Sequence, residues 1–267
     1  MNLKGLGMGL LDGKVGLVVG VANDRSYAWH IAKEIIAQGG TCAFAHIPGE
    51  KNARRTQRAA EKLCENPVLY ECDAGSDENI DALFESYAKD NDRLDYLVHS
   101  IAYADRDWLQ IGMFAKTPRD AFLEAINISA YTLVAMSARA RPLMAKNGGG
   151  SIMAMSYYGS EKVILGYNVM AVAKSCLETS TRYLAAELGV DNIRVNTISG
   201  GYLRTLASSA VGGTDDLEER AAAKAPLRRT TEGADVGKTA VYLASDLSCG
   251  VTGENIYVDC GVNIIGA

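Results

Sequence analysis

The chain has 267 residues, of which 48% are hydrophobic, and this is enough for one large core. Its formal net charge of -5 argues against a nucleic-acid-binding protein, which would need a basic surface. The six cysteines are scattered without Cys-x-x-Cys or Cys/His metal spacing, so we expect reduced core residues in a cytoplasmic protein and no metal site.

The N-terminal stretch Met1–Gly13 is rich in glycine and contains no sustained apolar run. We therefore expect no signal peptide there. No stretch of the sequence looks apolar for long enough to cross a membrane, so we expect no membrane-spanning helix.

Short apolar runs then alternate with helical patterns along the whole chain. The strands are near-continuous apolar runs, which indicates burial on both faces and hence a parallel sheet covered by helices. The sequence predicts an α/β fold, a single Rossmann-like doubly wound domain over residues 1–267 with a seven-stranded parallel sheet. Predicted strands are Val15–Val19, Thr41–His46, Val68–Cys72, Asp95–Ser100, Gly150–Ser156, Ile193–Ser199 and Asn255–Asp259. Predicted helices are Ala28–Gln38, Arg54–Cys64, Asn79–Lys89, Arg119–Met144, Tyr167–Leu188 and Ala234–Ser245.

The turn after the first strand has the composition of a pyrophosphate-binding turn. It carries Gly20 and the small residues Ala22, Ser26 and Ala28 just before a helix, where backbone amides and the helix dipole favour an anion. The usual Gly-x-Gly-x-x-Gly spacing is absent. Taken alone, this sequence fits an ordinary tight turn about as well as a pyrophosphate-binding turn. Its place after the first strand of an alternating α/β chain favours a dinucleotide site.

Tyr167 and Lys174 are the second feature of interest. Seven residues make almost two helical turns, so both side chains are expected on one helix face, about 10 Å apart along the axis. A nearby ammonium lowers the pKa of a phenol, which is what a tyrosine acid needs. A tyrosine and a lysine can also share a helix face by chance. The pair therefore supports a catalytic role only together with the motifs found in the rest of the chain.

Three motifs carry a resemblance to a known family. They are Gly20-x5-Ser26-x-Ala28, Tyr167-x6-Lys174, and Tyr157 ten residues before Tyr167. With them, the chain from about Leu11 to Ile265 resembles the divergent enoyl-acyl-carrier-protein reductase branch of the short-chain dehydrogenase/reductases. Ordinary members have Tyr-x3-Lys instead. Further segments that are similar to the family are 99–102, 194–198, 204–207 and 258–259.

The resemblance implies a nicotinamide cofactor, NADH with NADPH possible. Lys174 would bind the nicotinamide ribose, Asp73 would contact adenine, and Leu203 and Thr205 would hold the nicotinamide amide and pyrophosphate. A turn or capping role for Asp73 is also common. The full set of implied cofactor-binding residues is Gly20, Ser26, Tyr27, His46, Asp73, Ala74, Ser100, Ile101, Ala102, Lys174, Leu203, Arg204, Thr205, Leu206 and Ala207.

The implied chemistry is hydride transfer to the β-carbon of an enoyl thioester. Tyr167 would hydrogen-bond the enolate oxygen, like a donor in an oxyanion hole. Tyr157 would shape the site and assist proton delivery, although a core aromatic role for it is as plausible. Ala104 would touch the thioester, or else only fill the loop. Asn127 is expected to be structural.

The chain departs from the family pattern at three places. Gly200-Gly201-Tyr202 replaces the usual Ala-Gly-Pro, Ala102 stands where many relatives have glycine, and His46 stands near the position of a frequent glutamine. Residues 201–216 are expected to form a substrate-binding lid loop or, alternatively, a variable surface loop.

The leading function is therefore enoyl-acyl-carrier-protein reduction in fatty acid elongation. One alternative is a short-chain dehydrogenase/reductase acting on a ketone or alcohol such as a 3-oxoacyl thioester, although residue 171 is alanine where Tyr-x3-Lys would place the lysine. Another is a non-catalytic dinucleotide-binding protein. The resemblance also implies a homotetramer. We expect enoyl thioesters on acyl carrier protein as partners, and neither nucleic acid nor membrane.

Overall fold

Seven parallel strands form one sheet in the computed structural model, which describes residues 9–203 and 217–266. The strand order is β3-β2-β1-β4-β5-β6-β7, and every neighbouring pair is parallel. This confirms the predicted fold class. The strands are β1 Val15–Val19, β2 Thr41–His46, β3 Leu69–Glu71, β4 Tyr96–His99, β5 Gly150–Ser156, β6 Ile193–Gly200 and β7 Asn255–Val258.

Helices cover both faces of this sheet and supply two apolar cores. One core joins the sheet to α3, α5 and α6, and the other joins it to α1, α2 and α8. The apolar strands therefore meet side chains on each face, as their composition predicts. The described helices are α1 Tyr27–Ala37, α2 Glu50–Ala60, α3 Asp77–Asp90, α4 Arg119–Ile126, α5 Thr132–Lys146, α6 Asn168–Leu188, α7 Leu217–Lys224 and α8 Gly233–Ala244.

The predicted long helix Arg119–Met144 is interrupted. A π-helical turn at Asn127–Tyr131 separates α4 from α5. Within this turn the Ser129 hydroxyl accepts from Tyr103 N at 2.9 Å and donates to Tyr103 O at 3.1 Å. This contact ties the turn to the loop after β4, which helical periodicity in the sequence does not reveal. Asn127 opens the turn, so the structure places it where a structural role is reasonable.

The premise that no stretch is apolar for long enough fails for one helical run, although the expectation of no membrane-spanning helix is not contradicted. By length and composition alone, the helical run Arg119–Lys146 could cross a membrane, with mean hydropathy 1.3 over its best window. In the structure, 44% of that window is buried. Leu133, Met136 and Ala140 belong to the core beneath the sheet, so the run has the burial of a core helix.

The topology places one crevice at the carboxyl end of the sheet. The chain runs from β1 out to β3 and then returns to β4, so β1 has β2 on one side and β4 on the other. Ligands of doubly wound sheets bind at this point of reversal. Gly20 follows β1 and Ser100 follows β4, so both predicted segments lie at this crevice.

Candidate active site

Gly20 allows the loops after β1 and β4 to touch. Its φ is +108°, and a Cβ built there would lie 2.1 Å from the Ser100 carbonyl oxygen. Residues with side chains rarely adopt this φ, and the contact leaves no room for a methyl group. The first turn is therefore a close backbone crossing, which brings two predicted cofactor-binding segments together.

Ser26 forms the N-cap of α1. Its hydroxyl accepts from Trp29 N at 3.3 Å and donates to Asn23 O at 2.8 Å. These bonds fix the start of a helix whose first amides remain available for an anion. The role of Ser26 visible here is thus to hold the anion-binding end of α1 in place.

Tyr27 joins this turn to the end of β6. Its hydroxyl donates to Gly201 O at 2.7 Å. A Cβ on Gly200 would lie 2.9 Å from Tyr27 Cζ, and one on Gly201 would lie 2.1 Å from Thr231 Oγ1. Gly200, which replaces the usual alanine, thus lies against the ring of Tyr27, and Gly201 lies against the side chain of Thr231. Burial raises the pKa of Tyr27, so its phenol stays a donor.

The predicted adenosine side is built by the ends of β2 and β3. His46 is buried as the last residue of β2, and its Nδ1 lies 2.9 Å from Ile47 O. Asp73 is exposed, and its carboxylate accepts from Gly75 N at 2.9 Å, which is the turn role considered from the sequence. Ala74 packs against the core. His46 and Asp73 thus lie at the carboxyl ends of two neighbouring strands. Contact between Asp73 and the adenine stays a prediction.

The loop after β4 begins with the other predicted residues. Ser100 N donates to Val19 O at 3.0 Å, which continues the β1–β4 pairing. Ile101 packs partly on the core, whereas Ala102 is exposed. Leu203, after β6, is half-buried. Arg204, Thr205, Leu206 and Ala207 and most of the predicted lid at 201–216 lie outside the described residues.

Tyr157 and Tyr167 form an aromatic pair after β5. Their ring centroids are 5.0 Å apart, with an interplanar angle of 72°. A Cβ on Gly159 would lie 2.6 Å from Tyr167 Cδ1, so the chain passes closely beside this ring. Ala104 and Tyr167 both pack on a small cluster that includes Leu109. The structure thus brings together the three residues predicted to meet the substrate.

The position of Tyr167 differs from the expectation in one respect. Tyr167 is the N-cap residue of α6 rather than part of it, and Asn168 has a positive φ of 42°. The Asn168 amide donates to Trp108 O at 2.7 Å and to Gln110 O at 2.8 Å. Tyr167 and Lys174 are therefore not two positions on one face of a regular helix, because the backbone changes direction between them.

We expected the ammonium of Lys174 to lower the pKa of Tyr167. For the protein chain without cofactor, this expectation was wrong. Burial, then Tyr157 and Glu178, raise the pKa of Tyr167. The desolvation of the phenolate outweighs any attraction from the ammonium. Tyr167 is consequently a neutral hydrogen-bond donor at physiological pH, which suits the stabilisation of a developing oxyanion.

Lys174 is a buried ammonium beside β5. Its side chain is only 6% exposed, and Nζ donates to Met155 O at 2.7 Å. Burial lowers the pKa of Lys174 to about 8, while Glu178 opposes this change. Nearby, burial and Lys174 lower the pKa of His99 to about 3, and His99 Nε2 lies 2.8 Å from Thr132 Oγ1. His99 is therefore neutral, and its ring adds no positive charge beside the ammonium.

Sequence reasoning missed Glu178, Ser156 and Ser160. Ser156 Oγ and Ser160 Oγ both donate to Glu178 Oε1, the second at 2.7 Å. Glu178 is 7% exposed. Its position four residues after Lys174 was the available signal, because residues so spaced are neighbours on a helix.

Comparison with known proteins agrees with this geometry. The family model for enoyl-(acyl carrier protein) reductase matches residues 20–263. An enoyl-[acyl-carrier-protein] reductase [NADH] from Nostoc sp. is 46% identical over 259 residues, which cover 96% of this chain and 98% of the relative. The chain belongs to this family. The resemblance inferred from the three motifs is thereby confirmed.

Solved structures of the family have the same fold. An enoyl-(acyl-carrier-protein) reductase from Anaplasma phagocytophilum, solved in complex with NAD, matches with a TM-score of 0.91 at 42% identity, covering 97% of each chain. The Bacillus cereus enzyme, solved with NADP+ and an indole naphthyridinone, matches with a TM-score of 0.93 at 44% identity, covering 97% of this chain and 100% of that one. Both forms of the nicotinamide cofactor therefore occur among solved structures similar to this chain.

Proposed function

We propose that this chain reduces the trans-2 double bond of enoyl thioesters on acyl carrier protein with NADH, a step of fatty acid elongation. The observation that carries the proposal is the packed pair Tyr157–Tyr167, next to the turn that leads into α6 with its buried Lys174. Membership of the enoyl-(acyl carrier protein) reductase family, which the family model shows for residues 20–263, supports it.

The residues at the carboxyl end of the sheet fit a dinucleotide. A Cβ at Gly20 would fill the space where the first turn meets Ser100, and Ser26 fixes the start of α1 below it. An anion such as a pyrophosphate is favoured at this helix N-terminus. The cofactor, when bound, supplies the hydride, and the chain supplies its position and the electrostatic environment.

Four side chains have distinct roles in the proposed reaction. Lys174 binds the ribose next to the nicotinamide and brings a positive charge into a buried site. Tyr167, held neutral by burial, donates a hydrogen bond to the thioester oxygen as negative charge develops there. Tyr157 holds the Tyr167 ring through the edge contact, and Ala104 borders the thioester.

NADH is the proposed cofactor, and its competitor is NADPH. Basic residues of α2 line a groove near the end of β2 and would favour a 2′-phosphate. Two cations of that groove already have acidic partners, since Arg54 pairs with Glu50 and Lys62 with Asp24. The Nostoc sp. relative is named for NADH. We therefore assign NADH, with NADPH as the weaker substrate.

A labelling experiment tests the reaction. The chain is given a crotonyl thioester of acyl carrier protein and NADH carrying deuteride, and the product is examined by NMR. We expect deuterium on the β-carbon and a solvent proton on the α-carbon. A 3-oxoacyl thioester is the comparison substrate. Reduction of that ketone with no reaction of the enoyl thioester would overturn the proposal in favour of a carbonyl reductase.

The proposal extends to assembly and location. The chain is proposed to act as a homotetramer in the cytoplasm, without nucleic acid or membrane partners. The resemblance to the family supports this, and so do large exposed apolar side chains on neighbouring helices, Leu123 of α4 and Tyr183 of α6, which are 55% and 76% exposed. Light scattering after gel filtration tests it: a monomer mass at micromolar concentration would exclude the tetramer.

A further inference from the structure

Glu178 is a buried carboxylate for which the proposed chemistry has no direct use. It lies on α6, is 7% exposed and accepts from the hydroxyls of Ser156 and Ser160. An ionised carboxylate is costly to bury unless hydrogen bonds and an opposite charge compensate for the lost water. Its presence in the core beside the candidate site therefore needs a physical reason.

Glu178 closes a ring of contacts around the segment that carries Tyr157. Ser156 and Ser160 lie on either side of Tyr157, and both donate to the same carboxylate oxygen. Ser175, one turn before Glu178 on α6, donates to Ser160 O at 2.7 Å. The segment from 156 to 160 is thus held against α6 at both ends.

The same carboxylate lies one helical turn after Lys174. Side chains four residues apart on a helix are neighbours, and Glu178 acts on the pKa of Lys174 in the upward direction, against burial. Lys174 in turn donates to Met155 O, which directly precedes Ser156. The ammonium and the carboxylate therefore hold adjacent residues of the same strand end.

We propose that Glu178 is a positioning residue of the reductase site: it clamps residues 156–160 through Ser156 and Ser160, and its negative charge keeps the buried Lys174 charged for the cofactor ribose. This inference rests on the proposed function for its role in catalysis, but its effect on cofactor binding can be measured separately.

The other titratable groups that face this pair do not supply the charge. Among the described residues, His99 of β4 faces Lys174 and is neutral, because burial and Lys174 lower its pKa to about 3. Tyr167 and Tyr257 face Glu178, and the pKa of each phenol is raised, so neither is an anion. Tyr257 instead donates to Glu161. Glu178 is therefore the anion that acts on Lys174.

The main test removes the charge and keeps the shape. Glu178→Gln retains an oxygen that can accept from both serines, whereas Glu178→Ala removes charge and hydrogen bonds together. Glu187→Gln is the matched control on the same helix, because that side chain is 72% exposed. NADH affinity of each full-length variant is measured by fluorescence titration from about pH 6 to pH 10, a range that extends about two units to either side of the pKa of about 8 that Lys174 has in the fold.

For the wild type, we expect NADH affinity to fall as pH rises through about 8, where the ammonium discharges. Loss of an adjacent opposite charge lowers a pKa by about one unit or more, so the midpoint for Glu178→Gln should move down by about one pH unit. At pH 8 this makes NADH binding roughly fivefold weaker, since about a tenth rather than half of the lysine remains charged. Glu187→Gln should keep the wild-type midpoint.

Two results separate this inference from the proposed function. If Glu178→Gln keeps the wild-type midpoint for NADH, the charge role of Glu178 is wrong, even when the wild type reduces a crotonyl thioester. If the wild type does not reduce that thioester but the midpoint moves as expected, the proposed reaction fails and the electrostatic pairing stands. Should Glu178→Ala fail to fold, Glu178→Gln still decides, because it preserves the two serine contacts.

Discussion

Replacement of Gly20 by alanine should weaken both the fold and the cofactor site. The backbone at this position has φ +108°, and the new Cβ would lie 2.1 Å from the Ser100 carbonyl oxygen. A left-handed backbone costs a residue with a side chain about 1–2 kcal/mol, and forcing a methyl group into a filled space costs about 1–3 kcal/mol more. We therefore expect a loss of about 2–5 kcal/mol in the free energy of unfolding.

Gly13 provides the matched control for this prediction. It also has a positive φ, +73°, but a Cβ built there meets nothing within 4 Å. Gly13→Ala should therefore cost only the backbone term, about 1–2 kcal/mol, and leave NADH binding unchanged. Urea unfolding gives the stability of both variants, and NADH titration gives their affinity. If Gly20→Ala were no more destabilising than Gly13→Ala, and bound NADH equally well, the close crossing would not limit the site.

Three further predictions concern the chemistry and the cofactor. Lys174→Ala should lose most of its NADH affinity and should also lose the fall in affinity through about pH 8, because the ammonium that titrates there is gone; a titration at several pH values measures this. Tyr167→Phe should lower kcat on an enoyl thioester by about 10²–10³-fold while NADH affinity stays near wild type, since only the oxyanion donor is removed. The ratio of kcat/KM for NADH over NADPH should exceed one; a preference for NADPH would mean that Arg55 and Arg58 bind a 2′-phosphate.

The sheet was predictable because its strands are apolar on both faces. Val15–Val19, Thr41–His46 and Gly150–Ser156 have the predicted bounds, since a buried parallel strand needs apolar residues at nearly every position. β3 is one residue shorter at each end than predicted, although Phe44 N still donates to Val68 O and Cys72 N still donates to His46 O. The position of Gly20 after β1 was likewise readable, because a turn that opens a helix at that point needs glycine or small residues.

Features set by distant contacts were not predictable. The π-helical turn depends on the Ser129 hydroxyl meeting Tyr103, which is 26 residues away in sequence. Helix α2 begins at Glu50, whereas its predicted start was Arg54. The first turn of α2 carries charged residues and lacks the apolar periodicity that indicates a helix. α7 is absent from the predicted helices, since its alanines and charges have no clear apolar face. For the π-helical turn, the local sequence permits more than one structure, and the contact of Ser129 with Tyr103 favours the one observed.

The Tyr-x6-Lys spacing takes on a different meaning in the structure. A regular helix would fix the distance between the two side chains by periodicity alone, but α6 begins only at Asn168, whose φ is positive, and Tyr167 precedes it. The ring of Tyr167 is instead positioned by Tyr157 at 5.0 Å and by the close passage of Gly159, and the ammonium of Lys174 by Met155. Tyr157, Gly159 and Met155 all belong to the end of β5 or the turn after it. The proposed acid and its partner cation are therefore both positioned by the end of β5 and the turn after it, and not by helical periodicity alone.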